Sequence, residues 1–143
     1  MNLKAQALAL LACSAFFLTA CGDSGSSAGN GTYCRVSSTS TTVKVDAAYM
    51  GESYTSVATQ VSDDVVTYHS VYGYATQAEA DKACANFKEE ASYWLDGSYK
   101  VACSGTQVTV DEHSEYMGLA SEGLVEAEAD FNEMCGMLQN MAD

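Results

Sequence analysis

Cys34, Cys84, Cys103 and Cys135 constrain what this chain can fold into more than any other feature. The nearest two of them, Cys84 and Cys103, are 19 positions apart. A four-thiolate metal site needs close Cys-x-x-Cys pairs to set its tetrahedral geometry, so this scatter argues against one. In a small domain that leaves the cytoplasm, an even number of cysteines reads instead as two disulfides. That reading requires export. It also requires that Cys13 and Cys21, the remaining two of six cysteines, be accounted for.

Both requirements are met at the N-terminus. Lys4 supplies one positive charge, and a short apolar stretch runs from Ala7 to Ala20. This is the layout of a secretory signal, too short for a comfortable membrane span. The stretch ends in Leu18-Thr19-Ala20-Cys21, which resembles the lipobox of bacterial prolipoproteins. The resemblance implies cleavage before Cys21 and a diacylglycerol on its thiol. It also implies a protein held on the cell membrane or the outer membrane, facing the periplasm or the exterior. Leu10-Leu11-Ala12-Cys13 has a similar pattern, but cleavage there would strand Ala15-Phe16-Phe17-Leu18 in water.

Cys13 thus leaves with a signal over residues 1–20, and Cys21 is the expected lipidation site. Residues 21–32 are rich in Gly and Ser, the composition of a tether with an r.m.s. reach of about 20 Å. One domain remains over residues 33–143, about 110 residues long and large enough for a single modest core. The chain carries a net charge of −13, and loss of Lys4 takes the processed form to −14. Such acidity repels phosphate backbones, so no nucleic-acid partner is expected. It also repels anionic headgroups, so the domain is expected to stand off the bilayer with the lipid alone holding it.

Residues 33–74 have β character. Val43, Val45, Ala47 and Tyr49 alternate with Thr42, Lys44, Asp46 and Ala48, a strand with one buried face. Val57, Thr59 and Val61 make a second stripe, and Val66, Tyr68, Ser70, Tyr72 and Tyr74 a third. A three-residue turn at Met50-Gly51-Glu52 would bring Val43, Val45 and Ala47 onto the face shared with Val57 and Val61. That register is the expected one. Tyr68, Tyr72 and Tyr74 then belong to the core.

Thr76-x-x-Glu79 forms a capping box ahead of a helix whose face is Ala80, Cys84, Phe87, Ala91 and Trp94, stopped by Asp96-Gly97. A hairpin follows, Tyr99 to Cys103 and Gln107 to Asp111, turning at Ser104-Gly105. A last helix is predicted from about Ser121 to Met141, with Leu124, Ala127, Phe131, Cys135, Leu138 and Met141 on its apolar stripe. Gly136 costs about 1 kcal/mol inside a helix, and its place beside Cys135 suggests close backbone approach at a disulfide.

Two amphipathic helices and a set of antiparallel strands specify an α+β domain. The expected architecture is a sheet of about six strands, a meander plus a hairpin, with both helices on one face. Four cysteines allow three pairings. A helix ending near Leu95 and a strand returning from Ser98 bring Cys84 and Cys103 level, each about 16 Å from the turn. This favours Cys84–Cys103 and leaves Cys34–Cys135. Against it, helix and sheet backbones usually lie further apart than a disulfide spans.

Chemistry-bearing motifs are few. The only histidines are His69 and His113, and no Gly-x-Ser-x-Gly elbow accompanies them. His69 faces opposite Tyr68, on the open face of the sheet, and both histidines are expected in solvent. From Asp111 to Asp143 there are nine carboxylates and neither Lys nor Arg, which reads as a solvated helix face. Asp111, Glu112, His113 and Glu115 are the residues from which a divalent-metal site could be built. No EF-hand spacing occurs, and neither metal nor cofactor is expected.

In the expected register Tyr54 points to the open face with Lys44, Ser56, Gln60, Thr67 and His69. Tyr54, Gln60, Thr67 and His69 are therefore the candidate ligand surface. The leading expectation is a non-catalytic, lipid-anchored domain that binds a cell-envelope protein or glycan. The alternatives are an envelope hydrolase acting through His69 or His113, and an inhibitor or assembly factor docking through the acidic last helix.

Overall fold

A computed structural model describes residues 31–94, 96–115 and 119–142. The signal segment, Cys21 and nearly all of the tether lie outside the described residues. The elements are β1 (Tyr33–Ser38), β2 (Thr42–Tyr49), β3 (Glu52–Gln60), β4 (Val65–Gly73), α1 (Gln77–Ala91), β5 (Tyr99–Ser104), β6 (Gln107–Glu115) and α2 (Ala120–Ala142). The strands form one antiparallel sheet in the order β1-β2-β3-β4-β6-β5. Helix α2 lies over β1, β2 and β3, and α1 over β5 and β6. Both cover the same face, the α+β architecture expected.

The β2–β3 register differs from the expected one. The turn has two residues, Met50 and Gly51, with Tyr49 opposite Glu52. Both take positive φ, 50° and 84°, as a type I′ turn demands; its twist matches that of the flanking strands. A one-residue slip turns every side chain of β3 over. Tyr54, Ser56 and Ala58 are buried beneath the helices. Val57 points to the open face, and Val61 is 55 % exposed. The physical reason is Tyr54, whose ring packs at a tilt against Tyr72 with centroids 4.9 Å apart. A buried tyrosine removes more apolar area from water than the valines it displaces.

The core is aromatic at its centre and small elsewhere. Tyr72 touches Tyr54 on one side and Phe87 of α1 on the other, the latter at 4.8 Å. Val43, Val45, Val66, Val108 and Val110 form the sheet floor, and α2 lowers Leu124, Ala127, Phe131 and Leu138 onto it. Met141, expected on that stripe, is 40 % exposed. The Ser56 and Ser70 hydroxyls are buried and hydrogen-bonded to each other at 2.8 Å, so neither is left unsatisfied.

Helix α1 opens on the expected capping box: Glu79 N–H donates to Thr76 Oγ1 at 3.3 Å, and Thr76 N–H donates to Glu79 Oε2 at 2.9 Å. It ends at Ala91. Trp94 therefore lies beyond the helix and stacks on Tyr99 at 5.7 Å.

The disulfides are Cys84–Cys103 and Cys34–Cys135, with Cα separations of 6.1 and 5.2 Å. Each joins a helix to an edge strand, α1 to β5 and α2 to β1. At an edge a helix can lean over the side of the sheet, which resolves the geometric objection to helix–strand bridges. Gly136 is not explained by the bridge: a Cβ there would meet nothing within 4 Å. At Gly73 a Cβ would meet the Ser53 hydroxyl, which a change of the Ser53 rotamer relieves.

Candidate functional site

Alternation along the strands puts a polar row on the uncovered face. His69 of β4 stands opposite Asp111 of β6, which stands opposite Lys100 of β5. His69 Nδ1 and Asp111 Oδ1 share a hydrogen bond of 2.6 Å. One step further along, Thr67 stands opposite His113. Strand β6 runs to Glu115 rather than ending at Asp111, so His113 is a strand residue. Its N–H donates to the Ser98 carbonyl at 2.8 Å.

The Asp96-Gly97-Ser98 segment closes one side. Ser98 donates to Asp96 Oδ1 from both its backbone N–H, at 3.0 Å, and its hydroxyl, at 2.6 Å. Together these residues line an open depression of about 540 Å³. The His69 and Asp111 side chains are 58 % and 57 % exposed. A pair so wet adds little to stability, which leaves its groups available to a ligand.

Of the four residues expected as a ligand surface, Thr67 and His69 are in this depression. Tyr54 and Gln60 are not: the β2–β3 register puts both on the helix-covered face, and Tyr54 is buried in the core. Ser56 is buried beside it, and Lys44 lies on the open face but on β2. Lys100, Asp111, His113 and the Asp96–Ser98 rim were missed as partners of His69. Their convergence depends on β6 rather than β5 lying beside β4, and no local signal sets that order.

The residues weighed for a divalent metal are divided by the same alternation. Asp111, His113 and Glu115 face outward, while Glu112 is buried on the covered face. Among the described residues no group of three or more His, Cys, Asp or Glu side chains is arranged to hold a metal ion. Nor is any described helix long and apolar enough to cross a membrane.

Acidic groups are under strain on the helix layer. Burial raises the Glu90 carboxyl above its ordinary range. Burial, then Glu126 and Glu133, raise Asp130. A carboxyl raised in the folded state binds its proton more tightly there than in the unfolded chain. Its stabilising contribution is therefore complete below the unfolded carboxylate pKa and is lost as pH rises through the folded value. Self-repulsion of the net charge acts in the same direction. The thermal midpoint is expected to fall as pH rises from about 4 to about 7. A calorimetric midpoint that climbs over that interval would contradict the assignment.

Compared with protein-family models, curated proteins and solved structures, the chain gives no significant match.

Proposed function

We propose that the chain is a lipid-anchored protein of the cell envelope whose domain binds a small polar envelope ligand without transforming it. The observation that carries the reading is the row His69–Asp111–Lys100, set in a depression on the uncovered face of the sheet. The open face as a whole is balanced, with Arg35, Lys44 and Lys100 against Asp46, Asp111 and Glu115. The rest of the molecule is strongly acidic, so this is the face a ligand or partner approaches with least repulsion. A row alternating in charge suits a ligand that carries both an amine and a carboxylate, or amide and hydroxyl groups in their place.

The hydrolase alternative needs a nucleophile within hydrogen-bond reach of an imidazole. The bond from His69 Nδ1 to Asp111 supplies only a base and its orienter, and no described Ser, Thr or Cys side chain is hydrogen-bonded to His69. Docking through acidic α2 requires a basic partner and capture that weakens steeply with salt.

The test is a titration of the isotopically labelled protein with soluble cell-wall fragments, followed by amide shifts. Shifts are expected at Thr67, His69, Lys100 and His113. Lys100→Ala and His69→Ala should each weaken binding about tenfold or more, the worth of one charge-assisted hydrogen bond. Shifts confined to the helices, or unchanged affinity in both variants, would sink the reading.

A further inference from the structure

The polypeptide enters the domain at Tyr33, and the pairing of Tyr33 with Ala48 puts that entrance at the end of the sheet that holds the Met50-Gly51 turn. Antiparallel order brings the start of α1 and the β5–β6 turn to the same end. A Cβ on Gly51 would lie 3.8 Å from that of Ala75, and Tyr74 N–H donates to the Thr106 carbonyl at 2.9 Å. Helix α2 runs towards this end as well. Its first residue, Ala120, donates to the Asp63 carbonyl at the far end, and Cys135 is bonded to Cys34 near the entrance.

Two features single this end out. The first is composition. Gly51, Ala75, Thr76, Gln77, Gly105 and Thr106 carry no charge, Glu52 is buried and Glu79 is half-buried in the capping box, and Met50, Met137 and Met141 at this end are 53, 39 and 40 % exposed. The opposite end carries Asp63, Asp64, Asp96, Glu115 and Glu122. The exposed acidity that would hold the protein off a bilayer is thus denser at the end away from the tether.

The second feature is Met50 itself. At a φ of 50° the first turn position favours Asn, Asp or Gly. A large apolar side chain is held there against the backbone's preference, and it points into solvent.

We propose that this end rests against the bilayer that holds the lipid of Cys21, with Met50, Met137 and Met141 in the headgroup layer. Methionine is flexible and polarisable, well suited to an irregular apolar surface. The inference rests on the lipid-anchor reading. A tether reach of about 20 Å draws the tether end to the membrane and leaves the other end about 30 Å further out, at ~3.3 Å per strand residue. The depression around Lys100, His113 and Asp96 then lies towards the far end of the sheet, clear of the headgroups.

The experiment uses the protein extracted from its membrane and returned to vesicles of phosphatidylethanolamine and phosphatidylglycerol. Single indoles are introduced as Met50→Trp, Met137→Trp and Val61→Trp, each with Trp94→Phe, and quenched by lipids brominated near the headgroup. The indoles of Met50→Trp and Met137→Trp are expected to be quenched severalfold more than that of Val61→Trp. The helical Met137→Trp serves where the strained turn rejects an indole. Equal quenching at all three positions, or none at the first two, would overturn the orientation while leaving the anchor intact. Intact mass decides the anchor separately: a chain without acyl groups overturns both.

Discussion

Reducing both disulfides is expected to leave the domain unfolded, or nearly so, at room temperature. The Cys34–Cys135 bridge closes a sequence separation of 101 and the Cys84–Cys103 bridge one of 19. Chain-entropy arguments assign about 4.7 kcal/mol to a loop near 100 residues and about 3 kcal/mol to one near 20. A domain of about 110 residues has a total stability of roughly 5–15 kcal/mol. Loss of both bridges removes most or all of it. Urea unfolding followed by circular dichroism, with and without reductant, measures the difference. Replacing Cys34 and Cys135 together by serine should cost more than replacing Cys84 and Cys103. A reduced protein within about 1 kcal/mol of the oxidised one would mean that the core alone suffices.

Phe87→Ala is expected to be the most damaging single change in α1, at about 3–5 kcal/mol. The other buried residues of α1 are Ala80 and Ala83, so Phe87 is the one large side chain the helix inserts. It meets Tyr72 at 4.8 Å, and Tyr72 meets Tyr54. Truncation opens a cavity at one end of this aromatic row, and the flanking alanines cannot fill it. The Cys84–Cys103 bridge still holds the helix to β5, so helical signal should survive to a late point in the transition. Tyrosine near-ultraviolet signal should weaken first. A cost below about 1 kcal/mol would show that α1 packs loosely on this half of the sheet.

Local chemistry made much of the fold legible before any coordinates. The Thr76–Glu79 capping box, the hairpin turn at Gly105 (Gly105-Thr106, one residue on from the expected Ser104-Gly105), the α2 stripe and the level of Cys84 with Cys103 each depend on residues close in sequence or on one turn's geometry. The β2–β3 register did not, because β3 offers two plausible faces. Tyr54, Ser56 and Ala58 compete with Val57, Thr59 and Val61, and burial of the Tyr54 ring against Tyr72 decides between them, with Met50 forced into a left-handed turn as a result. The same register removes Tyr54 and Gln60 from the candidate surface. His69 was legible from its alternation with Tyr68. Asp111 and Lys100 as its neighbours were not, since the hairpin inserts β6 beside β4 and sends β5 to the edge.

The nesting of the two bridges has a consequence for a molecule exposed to proteases. Cys84–Cys103 lies wholly inside the ring closed by Cys34–Cys135. One cut anywhere between Cys34 and Cys135 opens that ring without releasing a piece. Both fragments stay covalently joined, and in the lipid-anchored form proposed above both would stay with Cys21. A nicked molecule would keep its mass, apart from one added water, until it met a reductant. Damage to the peptide chain and loss of the protein from its station are therefore separate events.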